Sequence, residues 1–138
     1  MNILGVDPGR EKTGLAVVDF EGTIQWRAII ETARLKSEIE PLLAQWNIER
    51  VALGNSTSSN DARARLEGLL EGKGIPLEMV DEKNSTVEAR ALYFEAHPPR
   101  GWRRLLLFSS QVPPVPVDDF AAVVVARRSL DKAKAGGL

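Results

Sequence analysis

The chain has 138 residues, 43% hydrophobic and 27% charged, with no cysteine and a formal net charge of −1. This excludes disulfides and thiolate metal sites and fits a reducing compartment; any nucleic-acid surface has to come from local clusters of Lys and Arg, not from overall charge. One domain over 1–138 is expected; with no apolar run of the ~18 residues that cross a membrane and no signal-peptide pattern at the start, its expected place is the cytoplasm, with no membrane partner.

The N-terminal third predicts a β-meander. NILGVD (Asn2–Asp7) is a short apolar run with a β-branched bias, TGLAVVDF (Thr13–Phe20) continues it, and Glu21-Gly22 turns the chain into TIQWRAII (Thr23–Ile30). A helix fits Arg34–Asn47, with Leu35, Ile39, Leu42, Leu43 and Trp46 on one face, although Pro41 should kink it or shift its start. From there the pattern alternates. RVALG (Arg50–Gly54) is a strand, a polar loop follows, and Ala62–Gly74 is a helix closed by glycine. Pro76–Val80 is a strand, and Ser85–Ala96 is a helix opened by a Ser85/Glu88 capping box. An Arg- and Pro-rich loop (His97–Pro116) leads to a last helix, Val117–Leu130, and a tail expected to fray. Three meander strands and then β-α-β-α make an α/β fold. The sheet is mixed and five-stranded, three antiparallel strands then two parallel, with helices on both faces.

Ligand sites in such sheets lie beyond the carboxyl ends of the strands. Asp7 ends the first strand within ILGVDPGREKTG, Glu82 follows the last strand, and Asp118 opens the final helix. Each has an ordinary role on its own. Asp-Pro-Gly suits a tight turn, and acids before or within the first turn of a helix suit its dipole. Together, three carboxylates at one sheet edge would repel one another unless a hard cation such as Mg²⁺ or Mn²⁺ joined them. Two such ions ~4 Å apart are a standard device for phosphodiester cleavage. Asp-x-Gly-x-x-x-x-Gly also resembles the first phosphate loop of actin-like ATPases and sugar kinases, which need two copies of the fold to enclose a nucleotide.

ILGVDPGREKTGLAVVD resembles the opening of the YqgF/RuvX family of RNase H-like proteins, relatives of the RuvC Holliday junction resolvases. VDEKNSTVEAR (Val80–Arg90) and VDDFAAVVVA (Val117–Ala126) are similar to that family's second and closing elements, in the same order. The resemblance implies an RNase H-like nuclease domain and divalent-metal-dependent phosphodiester hydrolysis of structured RNA or branched DNA. It implies pre-16S ribosomal RNA processing or, alternatively, Holliday junction resolution. Carried over by position, Asp7, Glu82 and Asp118 are the catalytic and metal-ligating acids, with Asp119 a substitute for Asp118. Lys83 stands where the family has Arg, and GNSTSS (Gly54–Ser59) replaces its Gly-Leu-Pro element and looks closer to the related domain of the Tex transcription accessory proteins. A non-catalytic nucleic-acid-binding module with a degraded site is a third reading.

PPRGWRRLLLF (Pro98–Phe108) gathers Arg100, Arg103 and Arg104 around Trp102. Guanidinium groups would meet phosphates and an exposed indole would stack on an unpaired base, unless Trp102 packs inward and the arginines only solvate the loop. Arg10, Lys12 and Lys83 extend a positive rim around the acids. Arg127, Arg128, Lys132 and Lys134 are read as dipole and solubility charges at a helix end. His97 is read as a surface turn residue. Monomer and homodimer both remain open, because symmetric resolution of a four-way junction needs two active sites and RNA trimming does not.

Overall fold

A computed structural model describes residues 1–55, 59–81, 88–89, 91–92 and 118–135. Strands β1 (Asn2–Asp7), β2 (Lys12–Asp19) and β3 (Ile24–Glu31) form the antiparallel meander. Strands β4 (Ile48–Gly54) and β5 (Leu77–Val80) add in parallel on the other side of β1, for the order β3-β2-β1-β4-β5. This is the expected mixed sheet. Central strands β1 and β2 read as continuous apolar runs because both faces of the sheet are covered.

Alternation along the strands sorts those two faces. Leu4, Val6, Leu15, Val17, Val51 and Leu53 pack against helices α1 (Leu35–Gln45) and α2 (Ser59–Leu70). Ile3, Ala16, Val18, Ala52 and Val80 pack against helix α3 (Asp118–Ala135), through Ala122, Val123, Val125, Ala126 and Leu130. In β3 a register shift opposite Val17/Val18 lets Trp26 join the first core and Ile24 the second.

The helices depart from the sequence expectation at their ends. α1 runs unbroken through Pro41, because burial of Leu35, Ile39, Leu42 and Leu43 outweighs one lost backbone hydrogen bond. α2 begins three residues earlier than predicted, with Ser59 buried in its first turn, and stops at Leu70. Of the segment predicted as a helix over Ser85–Ala96, the described residues Glu88, Ala89, Ala91 and Leu92 are helical, and Ala89 packs on Phe120 and Ala121. The expected fraying after Leu130 does not occur up to Ala135. Leu130 is buried, and Lys132 lies 3.7 Å from Glu78, tying that end to β5.

α3 lies unusually close to the sheet. A Cβ on Gly5 would overlap the carbonyl oxygen of Ala122 and sit 2.8 Å from the Ala126 methyl carbon. Backbone meets backbone here, so a side chain has no room and rotamer changes give no relief. Gly5→Ala is expected to lower stability by about 1–3 kcal/mol, or roughly 3–10 °C in Tm, measured by thermal melting against wild type.

Candidate metal and nucleic-acid site

Asp7 is the last residue of β1 and pairs across the ladder with Gly14 of β2. By strand alternation its side chain shares the face of Ile3 and Gly5, the face covered by α3. Gly14 is where α3 begins. A Cβ there would overlap the Asp118 carbonyl and sit 2.9 Å from the Asp119 amide nitrogen. Directly paired residues in a ladder lie about 5 Å apart, so the start of α3 is set down beside Asp7. The backbone at Asp118, 111 residues on in the chain, is therefore brought to the same corner of the sheet as Asp7.

Asp118 is half-buried, and burial first and the neighbouring Asp119 charge second push its carboxyl above its ordinary value. Asp119 has another task. Its Oδ2 lies 2.6 Å from Nη1 of Arg27 on β3, and its Oδ1 accepts the Phe120 N–H at 3.0 Å. The guanidinium also stacks 4.3 Å above the Phe120 ring. Adjacent helical residues point about 100° apart, and Asp119 is the one turned toward Arg27. Asp119, the expected substitute for Asp118, is thus engaged in an ion pair.

The turn after Asp7 is clamped from outside. Thr32 donates its hydroxyl to the Gly9 carbonyl at 2.8 Å and its amide to the Glu11 carbonyl at 2.9 Å. Its Oγ1 is also 2.8 Å from Oγ1 of fully buried Thr13, and Arg65 of α2 donates to the Thr32 carbonyl at 3.1 Å. A Cβ on Gly9 would overlap the Lys12 carbonyl, so the tight path demands glycine. Asp19 shows what a turn-forming acid does in this chain. It accepts the amides of Glu21 and Thr23, both at 2.9 Å, and those bonds, that of Thr23 foremost, hold its carboxyl below its ordinary value.

Arg10 and Lys12 are exposed on the β1–β2 turn, on the same edge as the two acids. Glu82, Lys83, Arg100, Trp102, Arg103, Arg104 and His97 lie outside the described residues. Arg127 and Arg128 do more than the solubility role read from the sequence. Arg127 donates to the Gly22 carbonyl at 2.9 Å, and Arg128 to the Asp81 carbonyl and Glu88, both at 2.7 Å. Sequence reasoning also missed Arg27, Thr13 and Thr32; a buried polar residue just after a tight turn was the available signal for Thr13.

The donor chemistry fits a hard divalent cation. Two acidic residues are brought to one corner of the sheet, and burial makes the charge of Asp118 costly, a cost that a cation would offset. Among the described residues no set of three acid or histidine side chains closes a metal site. No described helix is long and apolar enough to cross a membrane.

Comparison with solved structures places the fold. Thermus thermophilus RuvC in complex with a Holliday junction substrate superposes with a TM-score of 0.70 at 18% identity, covering 99% of this chain and 97% of RuvC. Fowlpox virus resolvase bound to Holliday junction DNA gives 0.61 at 14% identity, over 96% of this chain and 99% of that one. The architecture is the RNase H-like fold of these proteins. The family model described as "RuvX: Holliday junction resolvase" matches residues 1–132, and the chain belongs to that family. A relative from Pelotomaculum thermopropionicum, named "Putative pre-16S rRNA nuclease", is 30% identical over 95% of this chain and 87% of its own length. One of the same name from Desulforamulus reducens is 27% identical over 95% and 97%.

The raised Asp118 carboxyl makes a prediction for the metal-free protein. The fold prefers the protonated form, so this contribution to stability is present below the ordinary value of 3.8 and is lost as pH rises through the higher folded value. At neutral pH the ionised group works against folding. Asp118→Asn, which cannot ionise, is expected to melt a few degrees higher than wild type in chelator at neutral pH. The gap should close as the pH falls past 3.8, as thermal melts across that range will measure.

Proposed function

We propose that the protein is a divalent-metal-dependent nuclease that cleaves phosphodiester bonds in structured nucleic acid, with pre-16S ribosomal RNA as its substrate. The observation that supports this reading best is the start of α3 set over Gly14, the residue that pairs with Asp7. Membership of a nuclease family and the names of the relatives support it. Asp7 and Asp118 would hold Mg²⁺ or Mn²⁺, with Glu82 as the third acid. When bound, the cation supplies an activated water and charge stabilisation for the leaving oxygen. The chain's own residues do the rest. The turn clamped by Thr32 keeps its backbone clear of the acids so that a phosphate can approach, and Pro8 has no N–H, so donors in that turn begin at Gly9. Arg10 and Lys12 meet the phosphates on the flanking strand, joined by Lys83, Arg100, Arg103 and Arg104, while Trp102 stacks on an unpaired base.

The family model's description favours a second reading, Holliday junction resolution, with the same acids and a homodimer. Sedimentation at low micromolar protein separates the two, since a clean monomer opposes symmetric resolution. The deciding assay offers structured RNA and a four-way DNA junction to wild type, Asp7→Asn and Asp118→Asn in Mn²⁺ and in chelator. Wild type is expected to cut, and both variants are expected to fall to the chelated background while remaining folded. Asp119→Asn is expected to keep most of its activity. Full cleavage by Asp7→Asn would overturn the site, and no cleavage by wild type on either substrate would leave a binding module.

A further inference from the structure

The start of α3 carries two adjacent carboxylates, and a cation at Asp7 would attract either. Packing over Gly5 and Gly14 and burial of Ala122, Val123, Val125 and Ala126 fix how the helix lies on the sheet, but not which of the two carboxylates a cation would take. Arg27 is placed to decide it. It reaches from β3 to grip Asp119 at 2.6 Å and covers Phe120, and both residues are buried, 7% and 4% exposed. A carboxylate buried to that degree needs a counter-charge. Without Arg27, the Asp119 carboxylate would be free to turn toward a cation at Asp7 and compete with Asp118 for it.

We propose that Arg27 is a positioning residue of the metal centre: by holding Asp119 in an ion pair it keeps that carboxylate from competing for the cation, so that Asp118 alone is presented to it beside Asp7. This rests on the metal-site reading above.

The test titrates Mn²⁺ into the full chain by calorimetry, with no nucleic acid present, alongside thermal melts and steady-state cleavage. Arg27→Met is expected to weaken Mn²⁺ binding about 10–100-fold, as loss of a supporting partner to a metal ligand does. It should lower kcat while leaving KM for the nucleic acid unchanged. Adding Asp119→Asn to Arg27→Met should restore most of the Mn²⁺ affinity, because the amide needs no counter-charge and does not compete for the ion. Arg27→Lys, which keeps the charge, should stay close to wild type, and so should Asp119→Asn alone. The proposal is overturned if Arg27→Met melts lower but binds Mn²⁺ as wild type does, or if the double variant binds no better than Arg27→Met. If Arg27→Met does not fold, the Asp119→Asn variant decides: loss of Mn²⁺ binding there would make Asp119 the ligand and refute the assignment. Asp7→Asn separates the two levels. Unchanged Mn²⁺ binding in that variant removes the metal-site reading and this inference with it, whereas binding lost in Asp7→Asn but intact in Arg27→Met removes the inference only.

Discussion

Everything at the candidate site depends on how closely α3 approaches the sheet. Gly5 and Gly14 leave two positions of the β1–β2 ladder without side chains, and the carbonyls of Ala122 and Asp118 occupy the space. The contact is rigid because both sides are backbone within regular elements. It places the first residue of α3 over the residue that pairs with Asp7. Packing of Ala122, Val123 and Ala126 on Ile3, Ala16 and Val18 holds it there. Hydrophobic burial thus acts as the jig for a polar corner.

Two acids in succession at a helix start are a liability unless they are separated in role. The helix turns them apart, and Arg27 neutralises the more buried one. The other keeps a carboxyl whose protonation is favoured by burial and by its neighbour, the condition a bound cation reverses. A similar division of labour separates Asp7 from Asp19. Both close strands of the meander, but Asp19 is spent on the amides of its own turn. The turn after Asp7 is held by Thr32 and buried Thr13.

Cations in this chain serve structure as often as surface. Arg65 braces Thr32, Arg127 ties α3 to the β2–β3 turn, and Arg128 ties it to the end of β5 and to Glu88. The exposed Arg10 and Lys12 are what remains on the described part of the edge to meet a polyanion. With a net charge of −1, any binding of a polyanion has to be local.

Much was legible in the sequence. Apolar runs bounded by turn residues, followed by strand–helix alternation, determine the five strands, their mixed pairing and the faces of the helices, because side-chain periodicity depends only on local backbone geometry. Acids at strand and helix ends marked Asp7 and Asp118 as candidates for the same reason. Local signals were weaker at element ends: Pro41 passes inside α1 and Lys132 sits within a continuing α3, since burial of neighbours outweighs propensity. The difference between Asp118 and Asp119 was illegible. Both occupy the first turn of one helix with the same chemistry, and what separates them is an arginine 92 residues away on an edge strand. Only the tertiary structure shows that pairing, because a contact between elements so distant in sequence leaves no trace in the residues of the helix alone.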